Sequence, residues 1–165
     1  MTASPLSDKN ALAENEGASR RKTMGHEEML QKVPIFAEMN RRDLGRLSKL
    51  MVPRSFKAGE VIINENDQAA GVFVITSGKV EVVRGAGGPN PQHLNTLGAG
   101  DFFGEMALFE GYPRSATVRA VEDTDCLAMT RWDFTAELRT KPEIAVAMLP
   151  ALARRLRELE ARLPE

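Results

Sequence analysis

Between Val52 and Thr130 the chain is written as short apolar runs broken by glycine turns, and this rhythm constrains its fold more than anything else in it. The runs are "VPRSF", "EVIIN", "GVFVIT", "KVEVVR", "HLNTL", "ATVRA" and "DCLAMT", separated by "KAGE", "TSGK" and "LGAGD". Valine, isoleucine, threonine and phenylalanine favour the pleated, half-buried surface of a strand, and glycine supplies the turn conformations that strand ends need. Strands this short and this regularly spaced leave no room for crossover helices. They predict an antiparallel β-barrel or jelly roll rather than a parallel sheet. The stretch "GAGGPNPQ", 85–92, reads as an exposed, mobile loop between two of them.

Helical periodicity flanks this block on both sides. In "HEEMLQKVPIFAEM", Met29, Leu30, Val33 and Phe36 share a face that Pro34 interrupts. "NRRDLGRLSKLM" begins on a capping Asn40, has Asp43 in its first turn, and repeats Leu44, Leu47 and Met51 at helical spacing. After Thr130, "RWDFTAEL" predicts a short helix and "KPEIAVAMLPALARRLRELEARL" a longer one with Pro142 near its first turn. Residues 131–163 are therefore C-terminal helices, and the fold class is mainly β with flanking helices.

Along the last helix Ala145, Leu149, Leu152, Leu156, Leu159 and Leu163 step by 4, 3, 4, 3 and 4, the spacing of a coiled-coil seam. Two uses fit it: a homodimer through this helix, or packing of the helix on its own barrel. Pro150 removes one backbone hydrogen bond within the seam and predicts a kink or break between 147 and 150, either a harmless bend or a hinge for residues 151–163. Residues 1–25 are rich in Ser, Asn, Glu, Lys and Ala and poor in large apolar groups, so they read as a disordered tail before a single domain over 26–165. "SRRKT", 19–23, belongs to that tail and reads as a solvated charge run.

Several function classes are set aside by composition. A formal net charge of -1 lacks the basic excess of a nonspecific nucleic-acid binder. A single cysteine, Cys126, gives no internal disulfide and no multi-cysteine metal site, which fits a reducing cytoplasm. There is no apolar run long enough to span a bilayer, so no membrane is expected as a partner. With no nucleophile–base pair, metal cluster or "GxxxxGK" loop, the chain is expected not to be an enzyme and to need no cofactor. His93 reads as a surface residue on a strand and Cys126 as a small core residue.

The stretch "FGEMALFEGYPRSAT", 103–117, carries the chemistry. Gly104 allows close backbone approach, the amides that follow it favour an anion, and the planar fork of Arg114 suits a phosphate. Glu105 would repel that phosphate, but a carboxylate accepts hydrogen bonds, and a sugar hydroxyl held next to the phosphate satisfies both groups at once. A ribonucleotide whose phosphate lies against its own ribose has that shape. The competing structural reading is an internal Glu105–Arg114 ion pair that pins a loop.

"LGAGDFFGEMALFEGYPRSATV", with "FKAGEVI" and "VFVITSGKVEV" before it, resembles the cyclic nucleotide-binding domain family, and Gly59, Gly78 and Gly100 fall at its turn positions. The resemblance runs from about residue 30 to the end. It implies that Glu105 accepts from the ribose 2′-hydroxyl, that Arg114 pairs with the cyclic phosphate, and that Gly104, Met106, Ala107, Ser115 and Ala116 complete a phosphate-binding cassette. The "RSA" at 114–116 resembles members that use cAMP, so cAMP is expected ahead of cGMP. The family's C-terminal helix covers the purine, which makes Arg155, Leu156 and Leu159 lid candidates, with Arg155 in reach of Glu105. DNA-binding relatives carry a helix-turn-helix after the long helix; none follows here, so no DNA binding by this chain alone is expected. The expectation is a cytoplasmic receptor that signals to a protein partner of unspecified identity through its C-terminal helices. The alternatives are a ligand-independent interaction module and the sensor fragment of a larger regulator or channel.

Overall fold

The structure is a computed structural model and describes residues 25–164. The expected tail, with its "SRRKT" motif, lies outside the described residues except for Gly25. Helix α1 covers 25–31 and is followed by a single 3-10 turn, Pro34–Phe36, which starts where Pro34 cannot donate to a preceding carbonyl. Helix α2, Arg41–Ser48, begins at Asn40, whose side chain accepts from the Asp43 amide at 2.8 Å. Leu44 and Leu47 point from it into the core.

Eight strands follow: β1 Val52–Phe56, β2 Val61–Ile63, β3 Gly71–Ser77, β4 Lys79–Arg84, β5 Gln92–Gly98, β6 Phe102–Phe103, β7 Thr117–Ala120 and β8 Thr124–Thr130. The seven apolar runs of the sequence all became strands, and β6 is the one its pattern did not announce. They pair antiparallel into two four-stranded sheets, β1-β8-β3-β6 and β2-β7-β4-β5. Of the expected barrel or jelly roll the structure has the jelly roll, two separate sheets that do not close into a barrel. Two of the outer strands, β2 with three residues and β6 with two, are too short to carry a ladder from one sheet to the other, so the sheets meet through side chains.

The core has two parts, with the first sheet between them. Val72 and Val74 of β3 and Leu127 and Met129 of β8 face Leu30, Phe36, Leu44, Leu47, Phe134 and Ile144 of the helices. Ile75 of β3 and Cys126 of β8 face Ile63, Val80 and Val118 of the second sheet, with Phe73 alongside. Alternate residues of one strand thus serve alternate layers, as the period of two requires. Phe73 stacks on Phe103 at 5.1 Å between centroids, which seats β6 against the inter-sheet core.

Helix α3, Arg131–Thr140, is capped by the Thr130 side chain, and Phe134 on it is fully buried. Its ring meets Phe36 and Phe109 edge-on, so one side chain joins the N-terminal helices, the 103–117 segment and α3. Helix α4 runs unbroken from Glu143 to Arg162 through Pro150; the expected break is not there. The carbonyl that Pro150 cannot serve belongs to Val146, a residue 65% exposed, so that turn lies on the solvent side. Ile144, Met148 and Ala151 bury the other side.

Two tests follow from this packing. Phe134→Ala, which empties the junction of three elements, should lower stability by about 3–5 kcal/mol in urea unfolding. Burial first, and then the charge of Asp125, push the Cys126 thiol up to about 12. At pH 8 it should therefore stay unmodified by a maleimide in the folded chain and react once the chain is unfolded.

Candidate functional site

The segment after β6 opens with Gly104 in the left-handed region, φ 81°, and then makes a 3-10 turn, Glu105–Leu108. A side chain at 104 would strike its surroundings: an added Cβ would lie 2.4 Å from Arg114 Nη1 and 2.9 Å from the Gly71 carbonyl oxygen. Only glycine meets both the backbone angle and the space. The turn buries Glu105, Ala107 and Leu108 and leaves Met106 46% exposed. Four residues build little macrodipole, so what the turn offers an anion is its individual amides. One of these, on Ala107, already donates to the Gly104 carbonyl at 3.1 Å.

Arg114 is held by its own backbone. Its N–H donates to the Asp67 carbonyl at 2.7 Å and its carbonyl accepts from the Asn66 N–H at 2.8 Å, while Gln68 bridges to Pro113. The loop between β2 and β3 therefore fixes where the guanidinium starts. The guanidinium itself sends Nη2 to the Gly71 carbonyl at 2.8 Å. Burial lowers the pKa of Arg114 from its usual value, as expected when a cation loses water. Arg114 gives this backbone acceptor one of the five N–H groups that a guanidinium carries, and Gly104 packs against its other end.

A groove of about 210 Å³ is lined by Gly104, Glu105, Met106, Ala107, Arg114 and Ser115 together with Ala69, Glu110, Tyr112 and Pro113. Six of the seven cassette residues named from the sequence meet in one place. Ala116, the seventh, is buried beside them and does not line the groove. Ala69, Glu110, Tyr112 and Pro113 were not anticipated. The last three lie inside the segment already singled out, and Ala69 is brought in by the pairing of its amide with the Tyr112 carbonyl at 3.3 Å.

Glu105 does not pair with Arg114. Its Oε1 takes Nη2 of Arg155 from α4, so the internal Glu105–Arg114 bridge is absent and the lid candidate reaches the pocket from the far end of the chain. Leu156 and Leu159, the other two lid candidates, are 63% and 50% exposed and take no part in the groove. The charges in and above the groove are thus Arg114 and Arg155 against Glu105 and Glu110. Arg155 supplies the second cation, and with it Glu105 no longer opposes the approach of an anion toward Arg114.

Elsewhere, His93 sits on exposed β5 with Nε2 2.9 Å from Thr96 Oγ1. Among the described residues no group of three or more His, Cys, Asp or Glu side chains could hold a metal ion. Nor is any described helix long and apolar enough to cross a membrane.

The sequence and the fold have known relatives. The chain is 35% identical over 130 residues to the cyclic AMP receptor protein of Thermus thermophilus, covering 79% of this chain and 60% of that one. It is 36% identical over 118 residues to a cyclic nucleotide-gated potassium channel of Rhizobium etli, covering 72% of this chain and 32% of the channel. The chain thus spans between about a third and three fifths of these relatives. The crystal structure of the N-terminal domain of a transcriptional regulator from Streptomyces coelicolor superposes with a TM-score of 0.74 at 30% identity, over 83% of this chain and 98% of that domain. The family model for the cyclic nucleotide-binding domain matches residues 53–141, from the start of β1 to the end of α3, and the chain belongs to that family.

Proposed function

We propose that the groove binds a cyclic nucleotide, with cAMP preferred over cGMP, and that the bound state is passed on through α4 rather than through catalysis. The observation that carries this reading is that the Arg114 guanidinium and the buried Glu105 carboxylate line one small groove without neutralising each other. In this reading Arg114 takes the cyclic phosphate with its free N–H groups, and Glu105 accepts from the ribose 2′-hydroxyl on the oxygen that Arg155 leaves open. Gly104 lets the ligand approach the backbone, and the amides around Met106, Ser115 and Ala116 close on the phosphate, joined by that of Ala107 if it leaves the Gly104 carbonyl. Exposed Ser115 at the groove offers a hydroxyl to a phosphate oxygen or to the base. The Thermus thermophilus relative is named for cyclic AMP, which supports the choice of base.

Arg155 ties occupancy to α4, because its partner Glu105 is one of the groups that would hold the ligand. The seam of α4 supports pairing of two copies: Leu149, Leu156 and Leu159, and Leu163 just past the helix end, are each at least half exposed, so the chain's own sheets do not use them. The receptor would act in the cytoplasm, on a protein partner or on a segment of a longer regulator or channel. The limited coverage of the longer relatives favours that last arrangement as a second reading.

Isothermal titration of the chain with cAMP, cGMP and 2′-deoxy-cAMP tests the proposal. Arg114→Ala should weaken cAMP binding by about 100-fold, the scale of a charge-assisted pair to phosphate. Glu105→Gln in the protein, or the 2′-deoxy compound as ligand, should each cost about 10-fold, and the two losses should not add. If neither ribonucleotide releases heat or competes with a fluorescent analogue, the groove is not a nucleotide site. Gly104→Ala should fold with a loss of about 1–2 kcal/mol, because an alanine there holds a strained φ. It should bind cAMP at least about 10-fold less tightly, since its Cβ displaces the Arg114 fork.

A further inference from the structure

Arg131 shares with Arg114 a condition that sets the two apart from the other partly buried arginines. Among the described residues these arginines are Arg46, Arg114, Arg131 and Arg155. Glu137 neutralises Arg46 and Glu105 neutralises Arg155. Arg114 and Arg131 are in no described ion pair. A cation that gives up water without gaining a counter-charge carries a cost, and a bound anion relieves it.

Arg131 is nevertheless held in place, by neutral contacts. Its backbone N–H donates to the Ala70 carbonyl at 2.7 Å, one residue before the carbonyl that receives Arg114. Its guanidinium carbon lies 5.3 Å from the centre of the Trp132 ring. Nη1 lies against Gly111, where an added Cβ would be only 2.0 Å away. With Gln68, Glu110, Gly111 and Tyr112, Arg131 lines a second concavity of about 420 Å³, and Glu110 and Tyr112 line the groove as well. That volume is in the range of small-molecule sites.

The residues of this concavity repeat the chemistry of the groove, with an aromatic ring added. Arg131 has the planar fork that suits a phosphate, and Glu110, in no described ion pair, is an acceptor for sugar hydroxyls. A bare anion gains little here, because the Glu110 carboxylate opposes it. A ligand that carries hydroxyls next to its phosphate uses both groups, and an uncyclised ribose has two hydroxyls free for the two carboxylate oxygens. The chain has one tyrosine and one tryptophan, and both stay outside the core, Tyr112 69% and Trp132 60% exposed. Tyr112 offers its ring face to a planar base, and the amide of Gln68 can donate to a base edge and accept from it.

We propose that this concavity is a second ligand site, for a ribonucleoside 5′-monophosphate: phosphate on Arg131, ribose on Glu110 and base on Tyr112. The site does not depend on what fills the groove. Equilibrium dialysis of AMP against the full chain at low ionic strength, with saturating cAMP also present, tests it. About one AMP should be held per chain, at least about 10-fold more tightly than adenosine or inorganic phosphate, each of which makes only part of the contacts. Arg131→Gln should weaken AMP binding at least about 10-fold and leave cAMP affinity within about twofold. Gly111→Ala should weaken AMP similarly: its Cβ meets the movable end of Arg131, so the chain still folds, but the fork is pushed aside. In the original chain AMP draws the guanidinium off the indole, so the fluorescence of Trp132, the only tryptophan, should change saturably with the same midpoint. The proposal is overturned if AMP is not retained, or if inorganic phosphate is held as tightly as AMP, which would mean an unselective anion site. It is equally overturned if Arg131→Gln and Gly111→Ala keep AMP while Arg114→Ala loses it, which would place AMP in the groove. Failure of cAMP to bind overturns the reading of the groove alone, since AMP held by the original chain and lost in Arg131→Gln would still support the second site.

Discussion

Strand β3 is buried on both faces, and the geometry of the groove depends on that. Val72 and Val74 are locked into the helical layer and Phe73 and Ile75 into the inter-sheet layer, so β3 cannot slip by one residue without exchanging the two cores. Its first residue is Gly71, where an added Cβ would lie 2.1 Å from the Met129 carbonyl oxygen, and whose own carbonyl receives Arg114. The partner strand β6 ends one residue before Gly104, and Phe103 is stacked on Phe73. The acceptor for the arginine and the pivot of the turn carrying Glu105 are therefore placed by the same fixed strand.

A buried carboxylate is costly unless something offsets it, and for Glu105 the offset comes from more than forty residues further along the chain. Arg155 reaches Glu105 because α4 lies back over the domain, which in turn depends on its junction with α3. That junction is fastened by Lys141, which pairs at 2.7 Å with Asp43, an α2 residue only 3% exposed. Arg46 of α2 meets Glu137 of α3 at 2.7 Å as well. Both pairs join the N-terminal helices to the C-terminal ones, so those helices form one body at the junction. Breaking the Asp43 pair would strand a buried charge, whereas the half-exposed pair of Arg154 with Glu38 is worth much less.

Much of this was legible in the chain because the signals were local. Glycine turns delimited the strands, Asn40 announced α2, and Gly104, Glu105 and Arg114, grouped by their chemistry, line one groove. What the chain did not announce was set by distant partners. β6 is two residues long, too short for any periodicity, and exists because Phe103 finds Phe73. The separation of the sheets is decided by the edges of strands that each look ordinary alone. Pro150 alone predicts a kink or a break, and no break occurs because the carbonyl it cannot serve belongs to the turn at exposed Val146, where the helix loses least. Tyr112 and Glu110 line the groove because the β2–β3 loop draws the chain around Pro113, a long-range pairing with no signature in either segment.

The two stripes of α4 show how far a helical period can be read. Both have the right spacing, and they differ by one position, so sequence alone does not say which one the domain takes. The domain takes Ile144, Met148 and Ala151, and Leu152 is the last residue of α4 packed on the core. From there to Arg162 the helix is held down by Arg154 on Glu38, a half-exposed pair that contributes about a kcal/mol at most, and by Arg155 on the buried Glu105. Apolar burial anchors the first half of α4, while the second half rests on pairs that a change of charge in the groove can strengthen or weaken. Differential binding of only a few kcal/mol is enough to shift such a segment between positions. A ligand that engages Glu105 acts on one of those two pairs directly.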